Sequence, residues 1–147
     1  MNKRICEILD EFTNAPTKKD KIEVLARNWE NTGLRQTLRL TYDPNIKWLV
    51  EGKYPENYRV PDTKPGISYS NLYLELRRLW MFDAHNEKAV QISEKRRNEL
   101  LLQLLESLEP RESDVVIGIF RKDLKVKGLN HKFLSDNIPN FFQQENF

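Results

Sequence analysis

The chain has 147 residues, a length that suits one domain burying roughly 68–70% of its unfolded surface. Its 24 Lys and Arg stand against 22 Asp and Glu, a formal net charge of +2, so any nucleic-acid contact must come from a local patch and not from an overall cationic coat. The longest apolar run, Leu100-Leu101-Leu102 and Leu104-Leu105 around Gln103, is far below the ~20 residues of a bilayer span. The N-terminus alternates charged and apolar residues from Cys6 to Glu11 and carries no signal-like apolar stretch, so a cytoplasmic location is expected. One cysteine, Cys6, and two distant histidines, His85 and His131, give neither a disulfide nor zinc-ligand spacing; no metal or cofactor is expected.

Apolar residues recur at helical spacing nearly throughout, which predicts an all-α domain of about six to seven helices over 1–140 with a tail at 141–147. The first helix, about Lys3 to Phe12, places Ile5, Ile8, Leu9 and Phe12 on one face. Thr17 is an expected N-cap for a second running to about Trp29 with Ile22, Leu25 and Trp29 inward. A third starts at Thr32-Gly33, and Asp43-Pro44 ends or restarts it, with Ile46, Trp48 and Leu49 packing as a short turn. A connection over 51–68, holding Pro55, Pro61, Pro65, Gly52 and Gly66, divides the helices into two subclusters. Ser68 or Ser70 is expected to cap a fourth helix to Phe82, and Ser93 a fifth to Leu108. Pro110 stops the fifth; Glu112, Ser113 and Asp114 form an acidic first turn for a sixth containing Val115, Val116, Ile119 and Phe120. A last helix spans about Asn130 to Asn137.

No catalytic constellation is signalled, and a non-enzymatic protein is expected. Glu99 and Glu106 read as the solvent edge of a Leu-rich helix, His85 as a surface residue, and Cys6 as a small core residue. Tyr54 and Tyr58 are loop anchors or base-stacking candidates. The basic residues carry more. Arg121 to Lys132 holds five Lys and Arg against one Asp around Gly128, where a turn would expose backbone amides beside Lys125, Lys127 and Lys132. Lys18-Lys19 open the second helix and Arg35 the third, while Gly128, Asn130, His131 and Lys132 open the last. Amides and cations at helix starts are suited to phosphate, although a solvated charged turn has the same composition.

Two blocks carry a resemblance: Ile8-Leu9-Asp10-Glu11 through Thr17-Lys18-Lys19-Asp20-Lys21 to Leu38-Arg39-Leu40-Thr41-Tyr42, and Asp114 through Asp123-Leu124 and Gly128 to Ile138-Pro139. Together they resemble the N-terminal helical DNA-binding domain of the ATP-dependent DNA ligases of T-even-type phages. The resemblance implies an all-helical domain that embraces nicked duplex DNA by its minor groove and backbone, in a phage protein acting in the host cytoplasm. It would place Lys18, Lys19 and the turn holding Lys125, Lys127, Gly128 and Asn130 on the DNA side; Arg39 and Lys122 are further candidate DNA contacts. The chain departs from the family in lacking the Lys-x-Asp-Gly nucleophile motif, since Lys18-Lys19-Asp20-Lys21 fails at the glycine. Its turn after Leu124 is one residue longer, and Asn130 replaces the usual Ser. A ligase-derived accessory protein without ligase activity is therefore expected.

The competing expectation is a protein-interaction adaptor that keeps the fold without DNA binding. Phe141, Phe142 and Phe147 in the tail would dock on a sliding clamp, a polymerase or a virion component, unless they fold back onto the helices as a latch.

Overall fold

In the computed structural model, residues 3–50 and 70–143 are described; the connection holding Tyr54 and Tyr58, and Phe147 of the tail, lie outside them. Among the described residues are eight α-helices and two short 3-10 segments, without a strand. Helix α1 (Ile5–Asn14) buries Ile5, Ile8, Leu9 and Phe12, and α2 (Lys18–Arg27) starts at Thr17, whose side chain accepts from the Asp20 amide. Helix α3 (Thr32–Tyr42) starts at Thr32 as expected, is capped by Asn31, and buries Leu34, Leu38 and Tyr42.

The fourth predicted helix is only one turn, α4 (Leu72–Glu75), capped by Asn71 instead of Ser70. It passes into a 3-10 helix over Leu76–Phe82. The reason lies in the spacing: Leu76, Leu79 and Phe82 are buried at intervals of three, the period of a 3-10 helix and not the 3.6 of an α-helix. A short α5 (Glu87–Val90), unexpected from the sequence, forms where the Asn86 side chain accepts from the Lys88 and Ala89 amides. Ser93 caps α6 (Glu94–Ser107). Pro110 begins α7 (Pro110–Arg121) instead of merely ending α6, because proline at the first helical position has no amide to leave unpaired. Asn130 caps α8 (His131–Asn137).

The two expected subclusters are one core. Side chains of α1, α3, α4, α6 and α7 and the 3-10 segment form a single buried cluster, in which Phe120 meets Trp48 and Phe82 at ring distances of 5.2 and 5.3 Å. The chain on either side of the undescribed connection is joined directly: the Leu49 amide donates to Phe82 O (2.7 Å) and the Ala84 amide to Lys47 O (2.9 Å).

Gly33 marks the closest approach of α3 to α4. A Cβ there would lie 2.5 Å from Tyr73 Cδ1 and closer to Cε1, and the ring is pinned by its hydroxyl, which donates to Lys3 O and accepts from Asn31 Nδ2 (2.8 Å). Gly33→Ala is therefore expected to destabilise the protein by about 1–2 kcal/mol in urea unfolding, overpacking exceeding the gain in helix propensity. In a Tyr73→Ala background the same change should stabilise by about 1 kcal/mol.

Candidate nucleic-acid interface

The segment between α7 and α8 is the least regular described part of the chain. Lys122, Lys125 and Gly128 take positive φ angles of 63°, 57° and 85°. It is nevertheless anchored. Leu124 packs against Gly118 and donates its amide to the Tyr42 hydroxyl (3.2 Å), whose phenol burial pushes up to about 12. The Lys125 amide donates to Asp123 Oδ1 (2.8 Å), and Leu129 is buried in the core.

Gly128 fixes where the segment lies. A Cβ there would sit 3.7 Å from Cδ and Cε of Lys21, so the turn rests on the aliphatic stem of that lysine. The Lys21 ammonium in turn donates to Phe12 O (2.7 Å) and lies 4.9 Å from the Phe12 ring centroid. Phe12 meets Phe133 of α8 edge-on at 5.3 Å. One lysine thus joins the end of α1, the first turn of α2 and the start of α8, a role its place in a charged run did not reveal.

The sequence-selected cations fall into two groups. Lys18, Lys19, Lys127 and Lys132 are exposed, and none of them pairs with a described carboxylate within 4.0 Å. Lys18 lies one helical turn before Lys21, and Lys127 adjoins Gly128, so these two come from distant sequence to one edge. Asp20, the nearest acid in sequence, is turned back to accept from the Thr17 hydroxyl (2.8 Å). Lys125 is also exposed, and it borders a groove lined by Asp10, Arg111 and Asp114, in which Arg111 pairs with Asp10.

The other group is spent on the fold. Lys122 directs its ammonium inward, donating to Asp43 O (2.6 Å), Ile46 O (3.0 Å) and Leu40 O (3.4 Å). Burial lowers its pKa, and Asp43 opposes that shift. Expected at the DNA side, it is a tertiary cap on the C-terminus of α3. Arg39 pairs with the buried Asp43 (3.5 Å), and half-buried Arg35 donates to Thr32 Oγ1 (3.3 Å). Asn130 is occupied as the N-cap of α8, accepting from the Phe133 amide (2.8 Å). His131 is exposed but its ring stacks on Phe142 at 4.6 Å.

The tail residues expected to dock on a partner begin as a latch. Phe141 is 1% exposed and lies 5.5 Å from Trp29 and 4.9 Å from Phe142, which leaves it no surface to present. Cys6 is buried, and burial pushes its thiol up, which lowers the thiolate fraction that reactivity needs. Among the described residues no three His, Cys, Asp or Glu side chains gather as a metal site, and no helix is long and apolar enough to cross a membrane.

No curated protein matches the chain. The profile of a family of unknown function, DUF6433, matches residues 8–126, from the middle of α1 to the edge of the Gly128 turn. On that span, most of its length, the chain belongs to the DUF6433 family.

Proposed function

We propose that this protein is a non-enzymatic DNA-binding accessory protein that grips a duplex, intact or nicked, through its phosphate backbone. The reading is supported by one observation: the Gly128 turn lies against Lys21 in the first turn of α2, next to which stand exposed, unpaired Lys18 and Lys19 from one stretch of chain and Lys127 and Lys132 from another. The amides of Lys18 and Lys19 begin a capped ten-residue helix, and amides at a helix start favour anions. The resemblance of the same blocks to the DNA-binding domain of phage ligases supports the reading from a separate direction. Lys122, Arg39 and Arg35, engaged within the fold, are not part of the proposed surface.

Phosphate contacts carry little base information, so affinity should vary little with sequence and strongly with salt. With about four phosphates neutralised, log affinity should fall against log salt with a slope of about −3.6. Lys18→Glu with Lys127→Glu should weaken duplex binding at least ~30-fold and flatten that slope by about 2, as measured by fluorescence anisotropy of labelled duplexes. Binding indifferent to salt, or undiminished in the double variant, would rule the reading out.

A further inference from the structure

Helices α2 and α8 lie side by side and point the same way. Lys21 near the start of α2 meets Gly128 just before α8, and Trp29 beyond the end of α2 meets Phe141 beyond the end of α8. Between them runs an open groove of about 330 Å³. Ile22, Ala26 and Trp29, at helical spacing, form one wall, and Phe133, Ile138 and Pro139 the other. Among the described residues that line it, the one amide side chain, Asn137, turns back to donate to Phe133 O (2.7 Å). An occupant therefore meets apolar surface with few groups that could read the polar edge of a nucleobase.

The groove has a polarity. The ten-residue α2 starts at one end, which places the positive end of its dipole there. Lys18 and Lys19 lie one turn before Ile22, and Lys132 precedes Phe133, so three unpaired ammonium groups stand at that end too. Asp20 at that end accepts from the Thr17 hydroxyl (2.8 Å), and none of Asp20, Glu23, Glu30 and Asp136 lines the groove. The electrostatic complement is a segment whose negative end meets the lysines. A helix ends negatively at its C-terminus.

We propose that the groove between α2 and α8 receives an amphipathic helix of a partner protein, bound antiparallel to α2, with apolar side chains in the groove and acidic residues in its C-terminal turn against Lys18, Lys19 and Lys132. This is a second activity, independent of duplex binding except that the lysines border both surfaces. Partner and DNA would then compete at low salt.

The test uses the full chain and two labelled helical peptides of about 16 residues, a helix-in-groove length. Both carry the same apolar stripe; one has three Glu in its last turn, the other has them in its first. The peptide acidic at its C-terminus should bind at least ~10-fold more tightly. Ala26→Arg, on an exposed residue of the groove wall, should weaken it at least ~10-fold while thermal melting and duplex affinity stay unchanged. The proposal is overturned by equal affinity for the two peptides, by no binding at millimolar concentration, or by binding unaffected by Ala26→Arg. It is equally overturned if peptide binds only after residues 144–147 are removed, because the chain's own tail is then the occupant. Loss of oligothymidine binding in Ala26→Arg would assign the groove to single-stranded DNA instead.

Discussion

Lys122→Ala is expected to lower the unfolding free energy by about 2–4 kcal/mol, the effect of a core substitution from a residue in a basic surface run. The ammonium of Lys122 satisfies three carbonyls, those of Leu40, Asp43 and Ile46, where α3 ends and the chain turns toward Trp48. Asp43 O also accepts from the Ile46 amide (3.1 Å), but Leu40 O, in the last turn of α3, has no intrahelical partner, and removing the donor leaves part-buried acceptors short of a hydrogen bond. Methionine retains the stem but not the donor, so Lys122→Met should recover only the packing share, about a third of the loss. Glycine would relieve the left-handed backbone at φ 63°, worth about 1 kcal/mol, so Lys122→Gly should be less harmful than Lys122→Ala. Urea unfolding of the three variants would show the order Met, Gly, Ala or Gly, Met, Ala; stability near that of the native chain in all three would show the ammonium to be dispensable. Because Lys122 is turned away from the proposed DNA side, these variants should keep the salt slope of duplex binding at temperatures where they remain folded.

The contrast between Lys122 and Lys127 marks the limit of what the sequence discloses. Both stand in the same basic run, and nothing local distinguishes them. Their difference is set by carbonyls that lie 76 to 82 residues earlier in the chain. Arg39 is hidden for a related reason, its partner Asp43 being buried only by the tertiary fold. Local signals were legible: Thr17 and Ser93 cap where expected, and the apolar faces of α1, α3, α6 and α7 follow from spacing alone. The interval of three at Leu76, Leu79 and Phe82 was also visible, but a pattern shared with an α-helix face over two turns did not reveal the tighter winding. The groove was hidden by its own composition. Ile22 and Trp29 read as core residues from periodicity, and only the placement of α8 beside them leaves that stripe partly uncovered.

Taken together, these placements divide the basic residues by what they face. Lys21 and Lys122 use the ammonium to bind backbone carbonyls, which positions the Gly128 turn against α2 and α7 against α3. Lys18, Lys19, Lys127 and Lys132 make no such contact and stay exposed beside that scaffold. The near-neutral total charge is thus compatible with a local cationic edge, since Glu11, Asp10 and Glu109 are each held by their own Lys or Arg partners and do not neutralise those lysines.

The second large effect is expected at Glu112, in the first turn of α7. Its side chain is buried, accepting from the Leu72 amide at the start of α4 through one oxygen and lying 3.5 Å from Arg4 Nε through the other. Arg4 also pairs with buried Glu109. One carboxylate therefore ties the N-terminal strand of chain before α1, the first turn of α4 and the first turn of α7. Glu112→Ala removes the acceptor of a buried amide and half the compensation of a part-buried guanidinium, and should cost about 3–5 kcal/mol. Glutamine is nearly isosteric but cannot serve both partners: with its oxygen toward Leu72, its amide hydrogens face the guanidinium. Glu112→Gln should still cost about 2–3 kcal/mol. The pairing term can be isolated by a double-mutant cycle, in which Arg4→Met should reduce the cost of Glu112→Gln by at least ~1 kcal/mol. A cost below ~1 kcal/mol for Glu112→Ala, or additive effects of the Arg4 and Glu112 changes, would show that the carboxylate is a bystander and that apolar packing alone joins α1, α4 and α7.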